Sequence, residues 1–151
     1  MMNIKQISKD EIDLIEDLWS QLKQHHQART THYTEYYQKN SFAKRKAELL
    51  GKDALAVFIA DKATEEKINS VVGFCVVSIN YRLGEVDSLY VSPFARDKGI
   101  GSELMSAGLA WLEQHKPENI RLSVGEGNEE AITYYEKLGF RKRATLMQLF
   151  E

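Results

Sequence analysis

The chain has little of what marks an exported, membrane-bound or nucleic-acid-binding protein. A single cysteine, Cys75, excludes an internal disulfide, and the apolar run around it points to a buried, inert thiol rather than a nucleophile. No stretch is long and apolar enough for a transmembrane helix, and Lys5, Lys9 and Asp10 charge the N-terminus early. A reducing cytoplasm is therefore the expected setting, with no membrane partner. The imbalance of charge is small too. Twenty basic and 22 acidic residues leave a formal net charge of -2, which offers no broad basic face for nucleic acid. Two prolines and no low-complexity tract, repeat or linker argue against a segmented chain. What is present, 43% hydrophobic and 28% charged residues over 151 positions, fits one globular domain, 1–151, with a real core.

Periodicity gives the elements. Ile4 to Ile7 reads as a short strand. Ser8-Lys9-Asp10-Glu11 is a capping-box pattern that starts a helix whose buried stripe is Ile12, Ile15, Leu18, Trp19 and Leu22. Gln24 to Asn40 is polar and aromatic; Ser41 then caps a second helix that Gly51 ends. Ala54 to Ala60 and Val71 to Ile79 read as an antiparallel hairpin across a charged connection, Asp61 to Asn69. After a turn at Asn80 to Gly84 comes a strand that includes Val86 to Val91. A helix follows from about Lys98 to His115 and Pro117 prevents its continuation. Ile120 to Val124 is a short strand, Asn128 an N-cap for a helix running to Leu138, and Phe140 to Phe150 contains a last strand. The order β-α-α-β-β-β-α-β-α-β predicts an α/β (α+β mixed) fold, a mixed sheet with helices on both faces.

The most informative stretch is Arg96-Asp97-Lys98-Gly99-Ile100-Gly101, between a strand and a helix. Such a turn exposes successive N–H groups at a helix N-terminus, and the glycines let backbone approach a ligand without a Cβ in the way. Arg96 and Lys98 add positive charge, so the turn suits a phosphate or pyrophosphate. Plain close packing of helix on strand is the competing explanation. A P-loop is excluded by spacing. A dinucleotide fingerprint is excluded because Leu104 stands where a third small residue belongs.

Leu89-Tyr90-Val91-Ser92-Pro93, Arg96-x-x-Gly99-x-Gly101, Asn128-x-x-Ala131 and Tyr135-Glu136-Lys137-Leu138-Gly139-Phe140 occur in order, each on its expected element. Together they resemble the GNAT superfamily of acyl-CoA-dependent N-acetyltransferases, and the likeness of motifs covers about Glu85 to Phe140. The resemblance implies a mostly antiparallel sheet, splayed at the CoA site. It implies acetyl-CoA as co-substrate and no metal. The loop Arg96, Asp97, Lys98, Gly99, Ile100, Gly101 and Ser102 would wrap the pyrophosphate, while the pantetheine arm would lie along Leu89, Tyr90 and Val91 beside Asn128 and Tyr135. It further implies direct acetyl transfer to a small-molecule or peptide primary amine in a ternary complex. Similar proteins are often homodimers.

By the same resemblance Glu85 stands at the position of a general base, with Asp87 as runner-up on the same strand face, and Tyr135 at that of the general acid. A tyrosine stays protonated to about pH 10, well above a thiol at about 8.5, so it can hold a proton for the leaving sulfur. Each residue also has a plainer explanation. Glu85 can be a solvated edge charge, Asp87 a structural hydrogen bonder, Tyr135 a packed helix aromatic, and Asn128 only an N-cap. Tyr33 and Tyr36 lie where similar proteins flank the acceptor, and are equally explained as a packed loop. His25, His26 and His32 do not have metal-ligand spacing. The alternative function is a non-catalytic acyl-CoA sensor or interaction module.

Overall fold

The structure is a computed structural model that describes residues 3–62 and 70–150. The charged connection expected at Asp61 to Asn69 lies, from residue 63 on, outside the described residues. Strands β1 (Asn3–Ile7), β2 (Ala54–Asp61), β3 (Val71–Asn80), β4 (Leu83–Val91) and β5 (Ile120–Arg121) form one five-stranded sheet in that order. The first four are antiparallel neighbours, and β5 runs parallel to β4. A 3-10 stretch, Lys9–Ile15, leads into α1 (Glu16–Arg29), followed by α2 (Thr34–Lys39), α3 (Phe42–Leu50), α4 (Ile100–Gln114) and α5 (Ala131–Lys137).

Alternation along β2 divides the core. Leu55, Val57 and Ile59 face the 3-10 stretch, α1 and α3, meeting Ile12, Ile15, Leu18, Trp19, Phe42 and Leu49. Ala56, Phe58 and Ala60 belong to the opposite cluster with Ile100, Leu104, Met105 and Leu112 of α4. Burial on both faces explains why the central strands read as nearly continuous apolar runs. Helix α4 lies close against β3, because a Cβ on Gly108 would come within 2.9 Å of Val77 Cγ1. Cys75 beside it is fully buried, and that burial, reinforced by Asp87, pushes its thiol up to about 12.

Local signals set several boundaries. Glu11 accepts from the Ser8 N–H at 3.1 Å, and Ser41 Oγ accepts from the Lys44 N–H at 3.1 Å. The β3–β4 register slips between Val76 and Val77. Val77 pairs with Val86 and Val76 with Ser88, so Asp87 is the extra residue of a β-bulge. The bulge reverses the side-chain parity of β4. Val86 and Leu89, three apart, both join the α4 face, while Tyr90 joins the α1 face.

Gln24 to Asn40, where the sequence reading places no element, is largely helical, because α1 runs on to Arg29 and α2 follows. Three expectations are corrected. The strand expected over Ile120 to Val124 pairs only at Ile120 and Arg121. Asn128 is not an N-cap: α5 begins at Ala131, and the Asn128 carbonyl accepts from the Ala131 N–H in a preceding turn. Phe140 to Phe150 forms no strand; β5 offers a ladder too short to hold one, and Leu146, Met147 and Leu149 are exposed.

The contrast between α4 and this tail is measurable. Leu104→Ala, at a fully buried position, is expected to lower stability in urea unfolding by about 2–5 kcal/mol, whereas exposed Leu146→Ala should change it by less than about 0.5 kcal/mol.

Candidate active site

Pairing between β4 and β5 occurs at Gly84–Ile120 and Glu85–Arg121 and stops there. Past Glu85, β4 therefore has one edge with no strand partner among the described residues. A cavity of about 520 Å³ opens in the gap, within the range that holds small-molecule ligands. Leu89, Tyr90 and Val91 of β4 form one wall. Asn128, Ala131, Tyr134 and Tyr135 line it from the later part of the chain, and Leu22 and His25 line it from α1.

The floor is the loop that enters α4. Ala95, Arg96, Asp97, Gly99, Ile100, Gly101 and Ser102 line the cavity, whereas Lys98 does not. Asp97 (φ 65°) and Gly99 (φ 77°) are both left-handed, and Gly99 is the residue preceding the helix. No side chain caps this helix start, and the first intrahelical bond runs from Glu103 N–H to Gly99 O at 3.1 Å. The N–H groups of Ile100, Gly101 and Ser102 thus have no helical acceptor and sit at the positive end of the helix. Alternating hand in the preceding turn makes the concave backbone nest that holds anions. Arg96 fastens the loop to β4, donating Nε–H to Val91 O at 3.0 Å with its guanidinium 5.4 Å from the Tyr90 ring centroid.

Tyr135 packs edge-on against Tyr134 and Phe140, and burial first, then Tyr134 and Cys75, pushes its hydroxyl up to about 12. Beside it the Tyr134 hydroxyl is buried with no hydrogen-bond partner, alone in this among the described side chains. An orphaned hydroxyl, an unpaired strand edge and an uncapped helix start on one cavity fit a ligand that combines amides with a diphosphate, as CoA does.

Glu85 and Asp87 lie outside this cavity. Glu85 is half-buried and lines a smaller one, about 250 Å³, with Lys52, Ser78 and Arg121. It stands four residues from Leu89 along β4, roughly 13 Å at strand rise. Burial, and then the neighbouring Asp87, raises its carboxyl above the usual range, while Lys52, Arg45 and Arg121 pull the other way. The Asp87 side chain is fully buried. It is ion-paired with Lys52, accepts from Ser78 Oγ–H at 2.6 Å and lies 3.7 Å from Arg45. Tyr33 and Tyr36 are not on the wall either. Tyr33 packs against His32 and Phe150, and Tyr36 is exposed, although both sit just past the wall-forming α1.

The cavity-lining residues to which sequence reasoning gives no site role are Leu22, His25, Ala95, Ala131 and Tyr134. By periodicity Leu22 belongs to the buried stripe of its helix, and His25 has only a spacing that does not suit a metal. Their role depends on how α1 lies across the sheet, which periodicity does not encode. Among the described residues no group of three or more His, Cys, Asp or Glu could hold a metal ion.

The ionic cluster behind Glu85 makes a prediction. Asp87→Ala leaves the largely buried Lys52 ammonium without its partner and is expected to cost about 3 kcal/mol in denaturant unfolding. The same change removes a cause of the raised Glu85 carboxyl, so the Glu85 titration followed by NMR should move to lower pH.

The chain is similar to known proteins in sequence and in fold. The acetyltransferase (GNAT) family model matches residues 13–140. The chain is 44% identical over 62 residues to a mycothiol acetyltransferase of Salinispora tropica, covering 40% of this chain and 20% of that protein. It therefore spans only about a fifth of that relative's length. Among solved structures, a tetramutant of the BH1408 protein from Bacillus halodurans superposes with a TM-score of 0.75 at 18% identity, covering 97% of this chain and 98% of the other. The aminoglycoside N-acetyltransferase AAC(6')-Iy in complex with CoA does so with a TM-score of 0.69 at 20% identity, covering 100% of this chain and 95% of the other. With a family match across most of its length and the splayed mixed sheet in place, this chain belongs to the acetyltransferase (GNAT) family.

Proposed function

We propose that this chain is an N-acetyltransferase that moves an acetyl group from acetyl-CoA to a primary amine by direct attack in a ternary complex. The observation that carries the reading is the uncapped start of α4 at one end of a strand edge left unpaired by β5. The first suits a diphosphate and the second an amide-bearing arm laid beside it as an extra strand. The co-substrate supplies an acetyl group activated as a thioester. Everything else falls to the chain's own residues.

The N–H groups of Ile100, Gly101 and Ser102 anchor the diphosphate, and Leu89, Tyr90 and Val91 present backbone groups to the arm, with Asn128 facing it. An acceptor amine of lysine type, pKa about 10.4, arrives as ammonium and must lose a proton before it attacks. Glu85 is the base in this reading. Its carboxyl is more basic than an ordinary glutamate, and its distance along β4 calls for transfer through water. Asp87, engaged by Lys52 and Ser78, tunes the Glu85 carboxyl by its charge rather than acting itself. Backbone N–H near Leu89 or Tyr90 meets the charge that develops on the carbonyl oxygen. Tyr135 stabilises the departing sulfur. At about 12 its hydroxyl is well above a thiol at about 8.5, so it acts chiefly by donating a hydrogen bond and releases its proton only late.

The acceptor is a small-molecule or peptide amine that approaches past Tyr33 and Tyr36. The names of the mycothiol and aminoglycoside acetyltransferases among its likenesses support a small amine. A cytoplasmic setting accords with the lone reduced thiol of Cys75.

The test is turnover of acetyl-CoA with a panel of amines. Tyr135→Phe is expected to lower kcat by about 10²–10⁴, the usual span for a positioned acid, and an unchanged rate removes Tyr135 from the chemistry. CoA binding without turnover on any amine would favour a binding module instead. Glu85→Gln is expected to flatten the rise of kcat/KM with pH. It also carries a stability signature of opposite sign. A carboxyl raised above its unfolded value contributes stability that is present below the unfolded value and lost as pH rises through the folded one. Removing that ionisation should therefore raise Tm at pH 7 while lowering activity.

A further inference from the structure

The loop Gly125-Glu126-Gly127 leads into Asn128 of the cavity lining, and these three residues have no role in the site as described so far. Asn128 faces the cavity. Two residues earlier, Glu126 reaches the other way, to the turn between α1 and α2. Its carboxylate accepts from Thr30 Oγ–H at 2.7 Å, from Thr31 N–H at 3.0 Å and from His32 N–H at 3.1 Å. Thr30 Oγ in turn accepts from the Tyr33 N–H at 3.0 Å. These bonds cross about 95 residues of sequence and gather the amides that lead into α2 around one charge. They hold the Glu126 carboxyl below its ordinary range, with the Thr30 hydroxyl the largest cause and the His32 and Thr31 amides next.

The backbone is shaped for this contact. Gly127 is left-handed at φ 94°, and a Cβ there would run into the Arg29 carbonyl. A Cβ at Gly125 would stand 2.7 Å from the Tyr37 hydroxyl. Arg29 and Glu130 form an ion pair across the same seam. Inside the loop, Asn128 N–H donates to Gly125 O at 3.0 Å, and Gly127 N–H donates to Glu129 Oε1 at 3.0 Å, which ties Asn128 to the residues on either side of Glu126. On the far side, α1 supplies Leu22 and His25 to the cavity before reaching the gripped turn.

We propose that Glu126 is a positioning residue that couples the cofactor wall at Asn128 to the acceptor-side segment 30–37. A ligand that fixes Asn128 fixes the loop. The loop, through one carboxylate, fixes the entrance to α2 and the tyrosines that flank the amine. The proposal rests on the reading that CoA fills the larger cavity and that the amine enters past α1 and α2. It predicts that a bound cofactor prepares the acceptor side with no direct contact between the two.

The experiment is amide hydrogen exchange on the full chain with and without CoA, beside calorimetry with CoA and steady-state kinetics. In wild type, CoA is expected to slow exchange of the Thr31 and His32 amides. In Glu126→Ala, CoA should still bind within about threefold of wild type, because no cavity-lining group is removed. The slowing should vanish, and KM for the amine should rise about tenfold with kcat changed far less, the scale of one charge-assisted hydrogen bond. Thr30→Val, which deletes a donor from the other side, should give a smaller effect of the same kind and add little to Glu126→Ala. The coupling is overturned if wild type binds CoA and these amides exchange as before, or if Glu126→Ala responds as wild type does. If wild type itself takes up no CoA, the reading of the cavity fails first, and the coupling falls with it.

Discussion

Two residues of parallel pairing, Gly84 with Ile120 and Glu85 with Arg121, are the constraint on which the rest of the molecule depends. Were β5 to continue beside β4, the edge from Val86 to Val91 would be closed by backbone hydrogen bonds and no cleft would exist. Because pairing stops, β4 keeps from Val86 on an edge with no strand partner among the described residues, normally a costly arrangement. The α4 start repeats the theme with three N–H groups that have no intrahelical acceptor. Both deficits line one cavity, and a single ligand with amides at one end and a diphosphate at the other would meet both.

The bulge at Asp87 lies at the same place in the strand and does electrostatic as well as geometric work. It reverses parity, so that Leu89 at the level of the cavity joins the same cluster as Val86, three residues earlier. It also buries a carboxylate among Lys52, Arg45 and Ser78, fully away from solvent. An anion fixed there raises Glu85 nearby and pushes the Cys75 thiol up from across the sheet. One inserted residue thereby sets both the direction of side chains and the local proton affinities.

Much of this was legible in the sequence, and for physical reasons. Helix stripes such as Ile12, Ile15, Leu18 and Trp19, the Ser41 cap and the apolar runs of β2 and β3 are local patterns, and each formed where expected. The Gly99-x-Gly101 turn was readable because left-handed backbone and close approach demand particular residue types. What failed was long-range. The segment Phe140 to Phe150 carries a strand-like composition, but a strand exists only where an edge of sufficient length receives it. Asn128 looked like a cap and instead forms a turn three residues before the helix. Leu22 and His25 became wall residues because of where α1 crosses the sheet, and the three donors to Glu126 are some 95 positions away.

Cys75 carries one more consequence. It is the chain's single thiol, wholly enclosed between β3 and α4, with its proton held to about 12. Alkylating reagents act on the exposed thiolate, so the native molecule is inert to them. Modification then requires that α4 lift from the sheet. The rate of labelling becomes a built-in clock for opening of the protein's centre, with no engineered probe needed.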